Sequence, residues 1–144
     1  MAAAALESSL LALLAVVTVT DLRSRLVPDL ALGIALAVAL PLCLLSDPGS
    51  VPGRLIAGAG AGGFLLAAAL IRPGGMGLGD VKLATVIGFH LGAWVVEAIA
   101  IALAAGSVAG LFVVARHGWS ARRRTIPFAP CLALGALIAV AAQP

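Results

Sequence analysis

Apolar residues gather into runs at 4–20, 30–45, 55–71, 81–96, 98–115 and 127–142. The separators TDLRSRLVPD, SDPGSVPGR, RPGGMGLGDVK and RHGWSARRRT carry the Gly, Pro, Ser and charge expected of loops. Between the fourth and fifth runs the break is weakest, a tight turn expected near Gly92 to Glu97. A helix needs about 20 apolar residues to cross a bilayer. The pattern therefore predicts an all-α, polytopic bundle of about six transmembrane helices, one domain over residues 1–144. Runs shorter than a full span imply helices that extend into the interface or a locally thinned bilayer. The N-terminal run lacks a preceding basic segment and carries Glu7, so it reads as the first helix rather than a cleaved secretory signal.

Composition strengthens the membrane reading. Hydrophobic residues make up 62% of the 144, and only 10% are charged, against about 25% in water-soluble domains. Mean hydropathy is +1.18. The lipid bilayer is thus the first implied partner. A net charge of +3 could reflect nucleic acid, but with no Tyr, four Phe and two Trp a base-stacking surface has little material, so no nucleic-acid partner is expected. Cys43 and Cys131 lie in apolar runs without metal or redox spacing and read as buried, inert thiols.

Charge then orients the helices. Arg23, Arg25, Arg72, Lys82, Arg116, Arg122, Arg123 and Arg124 fall in the first, third and fifth loops, and only Arg54 in the others. Basic residues stay preferentially on the cytoplasmic side. Those three loops are placed there, with both termini outside, as an even number of crossings requires. The Arg122–Arg124 run most simply fixes this topology and meets anionic head groups.

Of the six carboxylates, Asp21, Asp29 and Asp80 share that cytoplasmic edge. Asp21 closes helix 1 and Asp80 opens helix 4, two crossings later, so both return to the same depth. Ionisable groups at the edge of the hydrocarbon are expensive and are functional candidates. Facing carboxylates hold one proton between them, because like charges a few ångströms apart cannot both ionise. The ionised member could then take a proton from an attacking water while the protonated one donates to the developing oxyanion. Gly77 and Gly79 beside Asp80 would allow unusual backbone angles and close approach of a substrate or helix. Equally, residues 73–79 could be a plain loop and Asp80 a helix cap. Spacing alone leaves both readings open.

The residues also resemble a known family, the type IV prepilin leader peptidases, membrane aspartic proteases with a Gly-x-Gly-Asp motif. Asp21-Leu22-Arg23-Ser24-Arg25-Leu26-Val27-Pro28-Asp29 is similar to the family's first-loop motif, an Asp, a basic stretch, then Pro-Asp or Pro-Asn. Gly77-Leu78-Gly79-Asp80-Val81-Lys82-Leu83 resembles the second motif, and Ile126-Pro127-Phe128-Ala129-Pro130 the late Pro-Phe-Gly-Pro segment, with Ala129 where Gly is usual. The resemblance covers nearly the whole chain. It implies a multi-pass protein of the cytoplasmic membrane with Asp21 and Asp80 catalytic on the cytoplasmic side. There a basic leader would be removed from prepilin or pseudopilin-like precursors, with no cofactor or metal. Asp29, where the family also accepts Asn, reads with Pro28 as a cap for helix 2. Gly77, Gly79 and Lys82 support the loop, although Lys82, about 200° round the helix from Asp80, points elsewhere. Many members carry an N-terminal Cys-x-x-Cys segment linked to N-methylation, and nothing in these residues corresponds to it. Peptidase activity without methylation is the expectation, with pilus or secretion assembly proteins as further partners.

Other features read as structural. Gly58, Gly60 and Gly63 satisfy G-x-G-x-x-G but sit in an apolar helix with no preceding strand, which favours helix packing over dinucleotide binding. His90 lies about 15 Å deeper than Asp80 at helical rise and reads as a helix contact. His117, near Arg116 and Trp119, reads as interfacial. With no H-E-x-x-H and two isolated histidines, neither zinc nor serine protease chemistry has its parts. Two other classes stay in view: a small proton-coupled transporter, which would place carboxylates nearer mid-helix and show a repeated half, and a non-catalytic assembly subunit.

Overall fold

A computed structural model describes residues 2–24, 26–71, 76–118 and 128–143. Among the described residues, six α-helices follow the six apolar runs: α1 (Ala2–Ser24), α2 (Asp29–Ser46), α3 (Val51–Ile71), α4 (Leu78–Leu91), α5 (Val95–His117) and α6 (Ala129–Ala141). No strand occurs among the described residues. Residues 72–75, Arg25, Trp119, the Arg122–Arg124 run, Ile126 and Pro127, all used in the sequence reading, lie outside the described residues.

Several helices begin earlier than the apolar runs suggest. α3 starts at Val51, because Pro48–Ser50 is itself a helical turn that leads directly into it. α4 starts at Leu78, which draws Asp80 into the helix. The break between α4 and α5 is a single 3-10 turn, Gly92–Trp94, where Gly92 takes φ +59 and ψ −132. Glu97 therefore lies in the first turn of α5, not in the break. A carboxylate is favourable at that end of a helix dipole.

Close contacts define the bundle's course. α3 and α4 run antiparallel, Gly58 facing Thr85 and Phe89 while Gly62 faces Thr85 and Val81. A Cβ on Gly88 would stand 2.7 Å from the Gly58 Cα and 2.8 Å from the Ala57 carbonyl oxygen, so these two helices touch backbone to backbone. α5 and α6 are likewise antiparallel, Gly135 against Ala98 and Ala102, Gly106 against Phe128. Small residues permit such approach where lipid offers no hydrophobic drive between helices. The core follows suit: Ala61, Ala84, Ala98, Ala102, Ala133 and Ala136 are all buried.

One end of the bundle gathers Asp21, Val27, Asp80 and Phe128, hereafter the site end. The far end holds a small cavity of about 80 Å³ lined by Leu6, Glu7, Arg54, His90 and Gln143, so the described chain starts and finishes together. There Arg54 Nη1 donates to the carbonyls of Phe89, at 3.2 Å, and His90, satisfying the open end of α4. His90 contacts the Ser9 hydroxyl at 3.0 Å and the Val86 carbonyl at 2.9 Å, the helix-contact role read for it.

Large apolar side chains such as Leu30, Leu45 and Ile71 remain exposed on the outside. In water such a surface would drive aggregation; in lipid it is the solvated face. Among the described residues, four segments are long and apolar enough to cross a membrane: Ala4–Ser24, Asp29–Ser46, Pro48–Ile71 and Leu78–His117, the last a 40-residue stretch divided by the Gly92–Trp94 turn. α6, with 13 residues, is shorter.

Candidate active site

Both acidic residues singled out by the sequence continue the buried stripe of their helix. On α1, Leu10, Leu13, Leu14, Val17 and Asp21 recur at helical spacing and are all buried; on α4, Asp80, Leu83, Ala84, Ile87 and Leu91 do the same. Because Ser9 near the start of α1 meets His90 near the end of α4, the two helices are antiparallel. The end of α1 thus reaches the start of α4. Asp21 is 6% exposed and Asp80 9%, and Asp21 lies near enough to act electrostatically on Asp80. The site end therefore brings two carboxylates together inside an apolar core, an arrangement expensive to keep without a use.

The glycines fix the position of Asp80. Gly77, extended at φ −80 and ψ 148, is the N-cap of α4, and Asp80 is the third residue of the helix. The Asp80 amide donates to the Gly77 carbonyl at 3.1 Å, and the Gly77 amide donates back to the Asp80 carboxylate. This is the return half of a capping box, so Asp80 does not cap the helix itself. Gly79 has a different task. A Cβ there would meet Val27 Cβ at 3.0 Å and Cγ2 at 3.1 Å, so its bare backbone lets the loop after α1 lie against the start of α4.

Asp29 differs from the sequence expectation. Pro28 holds the N-cap position, its carbonyl accepting from the amides of Ala31 and Leu32, while Asp29 is the first helical residue and no side chain caps α2. The Asp29 carboxylate instead receives Lys82 Nζ at 2.9 Å on Oδ1 and 2.8 Å on Oδ2. Lys82 does point away from Asp80, as its position two residues along the helix requires. The pairing with Asp29 was not legible beforehand, since 53 residues separate the partners.

Cys131 is a second difference. Cys43 is buried at 1% exposure, but Cys131 is only partly buried, next to Phe128 and Gly106 and within electrostatic range of Asp80. Ala129, standing where the resembled family usually has Gly, opens α6 and is fully buried, so its methyl fills core space. Among the described residues, no three of His, Cys, Asp and Glu come together so as to hold a metal ion.

A helical, membrane-spanning protein with two buried carboxylates at one end of the bundle is the class these features define. The chain belongs to the Type IV leader peptidase family, whose sequence model matches residues 8–115. It is also 35% identical over 130 residues to the Prepilin leader peptidase/N-methyltransferase of Bacillus subtilis (strain 168), an overlap covering 90% of this chain and 52% of that protein. The chain thus spans about half the length of this relative. No solved structure matches it.

Proposed function

We propose that this protein is an aspartic endopeptidase of the cytoplasmic membrane, removing the basic leader from prepilin or pseudopilin-like precursors at the cytoplasmic face. The observation that carries this reading is the convergence of Asp21 and Asp80, buried and electrostatically in touch, from the core stripes of two antiparallel helices. Membership of the leader peptidase family and the name of the Bacillus relative support the substrate class. The placement of eight of nine Lys and Arg in the first, third and fifth loops supports the cytoplasmic side.

Chemistry follows from the shared proton. The ionised member of the pair draws a proton from water as the water oxygen bonds to the scissile carbonyl carbon. Its partner gives its proton to the carbonyl oxygen, which would otherwise become an oxyanion. The resulting gem-diol collapses, the C–N bond breaks, and a proton passes to the leaving amine. One proton is again left between the two carboxylates. The rate is expected to rise and then fall with pH, because either a second proton or the loss of the shared one disables the pair. The precursor's apolar helix docks laterally against the bundle, presenting an unwound cleavage segment to the site end.

Cleavage of a purified precursor by the protein in detergent tests the proposal. Asp21→Asn and Asp80→Asn should each abolish processing, whereas Asp47→Asn, in the far-end loop, should leave it intact. Crosslinks between precursor and the far end alone would contradict the docking.

A further inference from the structure

The site end has a charge problem. The first, third and fifth loops read from the sequence carry eight cations and three carboxylates, and a basic leader approaching them is repelled. Two of those carboxylates, Asp21 and Asp80, are buried. Asp29 is the remaining one, its side chain 71% exposed, and its present partner Lys82 is 55% exposed. Both Asp29 oxygens face that ammonium, at 2.9 and 2.8 Å.

Location adds to the charge argument. Asp29 follows directly on the segment that lies over the start of α4, where Val27 packs against Gly79, the residue before Asp80. Lys82 is two residues beyond Asp80 on the same helix. The pair therefore flanks the buried carboxylates at the surface. A water-exposed ion pair contributes little stability because both members remain well solvated apart. Exchange of one cation for another at Asp29 consequently costs little, and leaves no charge buried or stranded.

We infer that Asp29 is the docking carboxylate for a cationic side chain of the precursor's leader, and that Lys82 is the counter-ion it releases when the leader binds. The inference rests on the peptidase reading above and adds to it the residue that recognises leader charge. Lys82 keeps Asp29 paired in the resting protein. On binding, a leader Lys or Arg takes its place, and the flanking segment 26–28 holds the leader beside the site.

Steady-state cleavage by the full chain tests this, using a precursor with its native basic leader and a twin whose leader Lys and Arg are changed to Gln. Asp29→Asn should raise KM for the native leader about two- to fivefold, the range of an exposed ion pair, while leaving KM for the neutral twin at its wild-type value. Asp29→Glu should keep the native KM, and the difference should shrink in high salt. The exchanged pair, Asp29→Lys with Lys82→Asp, restores the bridge but should keep the raised KM. If the exchanged pair recovers the wild-type KM, or Asp29→Asn acts equally on both precursors, the contact is a structural clasp and the inference is wrong. If the wild-type protein cleaves neither precursor, the peptidase reading itself fails and the docking role falls with it.

Discussion

At Gly79 a single hydrogen in place of a side chain decides how the candidate site closes. A methyl there must displace Val27 by a few tenths of an ångström, moving the loop that follows Asp21 relative to the helix that carries Asp80. Gly79→Ala is expected to slow cleavage several-fold with little change in unfolding temperature, and adding Val27→Ala should recover most of the rate. Kinetics on the single and double variants checks this coupling. The two aspartates were themselves legible in the sequence as candidates, because carboxylates are scarce there and two crossings return both to the same membrane edge. Asp29 was not, although its sequence context is as distinctive. Its carboxylate turned to Lys82, a partner brought near only by the packing of α2 on α4, while a proline carbonyl took the capping position.

Between helices, the glycines of α3 and α4 divide into those that touch and those that do not. Gly58 and Gly88 meet backbone to backbone, whereas Gly60 has open space where a Cβ would stand. Gly88→Ala should therefore destabilise the protein by about 1–3 kcal/mol, as overpacking does. Gly60→Ala should be neutral or slightly stabilising, since Ala is the better helix former by about 1 kcal/mol. Thermal or denaturant unfolding in detergent distinguishes the two. The sequence reading identified this glycine stripe as packing but could not tell which glycines pack, because that depends on the rotation of α3 about its axis. Helix number and order were legible from the apolar runs. The starts of α3 and α4 were not, because polar and glycine residues such as Gly79 and Asp80 join a helix once their amides and carbonyls find partners within it.

Over the whole molecule, the described chain runs up and down so that its two ends share the far end and the two carboxylates share the other. The proposed function places the site end in the cytoplasm, on the strength of the loop charges. With Cys43 and Cys131 replaced by alanine, Ser24→Cys should react with a membrane-impermeant thiol reagent only after cells are opened, and Asp47→Cys in intact cells. The reverse pattern would turn the protein over. A helical bundle and its membrane setting were readable from hydropathy alone. The meeting of Asp21 with Asp80 needed the fold, since equal depth in a membrane does not by itself make two side chains neighbours. The most direct test of the central claim is processing of a prepilin by the purified protein bearing Asp21→Asn or Asp80→Asn, each shown to fold by its unfolding temperature and each compared with wild type and Asp47→Asn. The account predicts that the two dyad variants yield no cleaved product while the other two process the precursor alike. Retained cleavage by either dyad variant would contradict it.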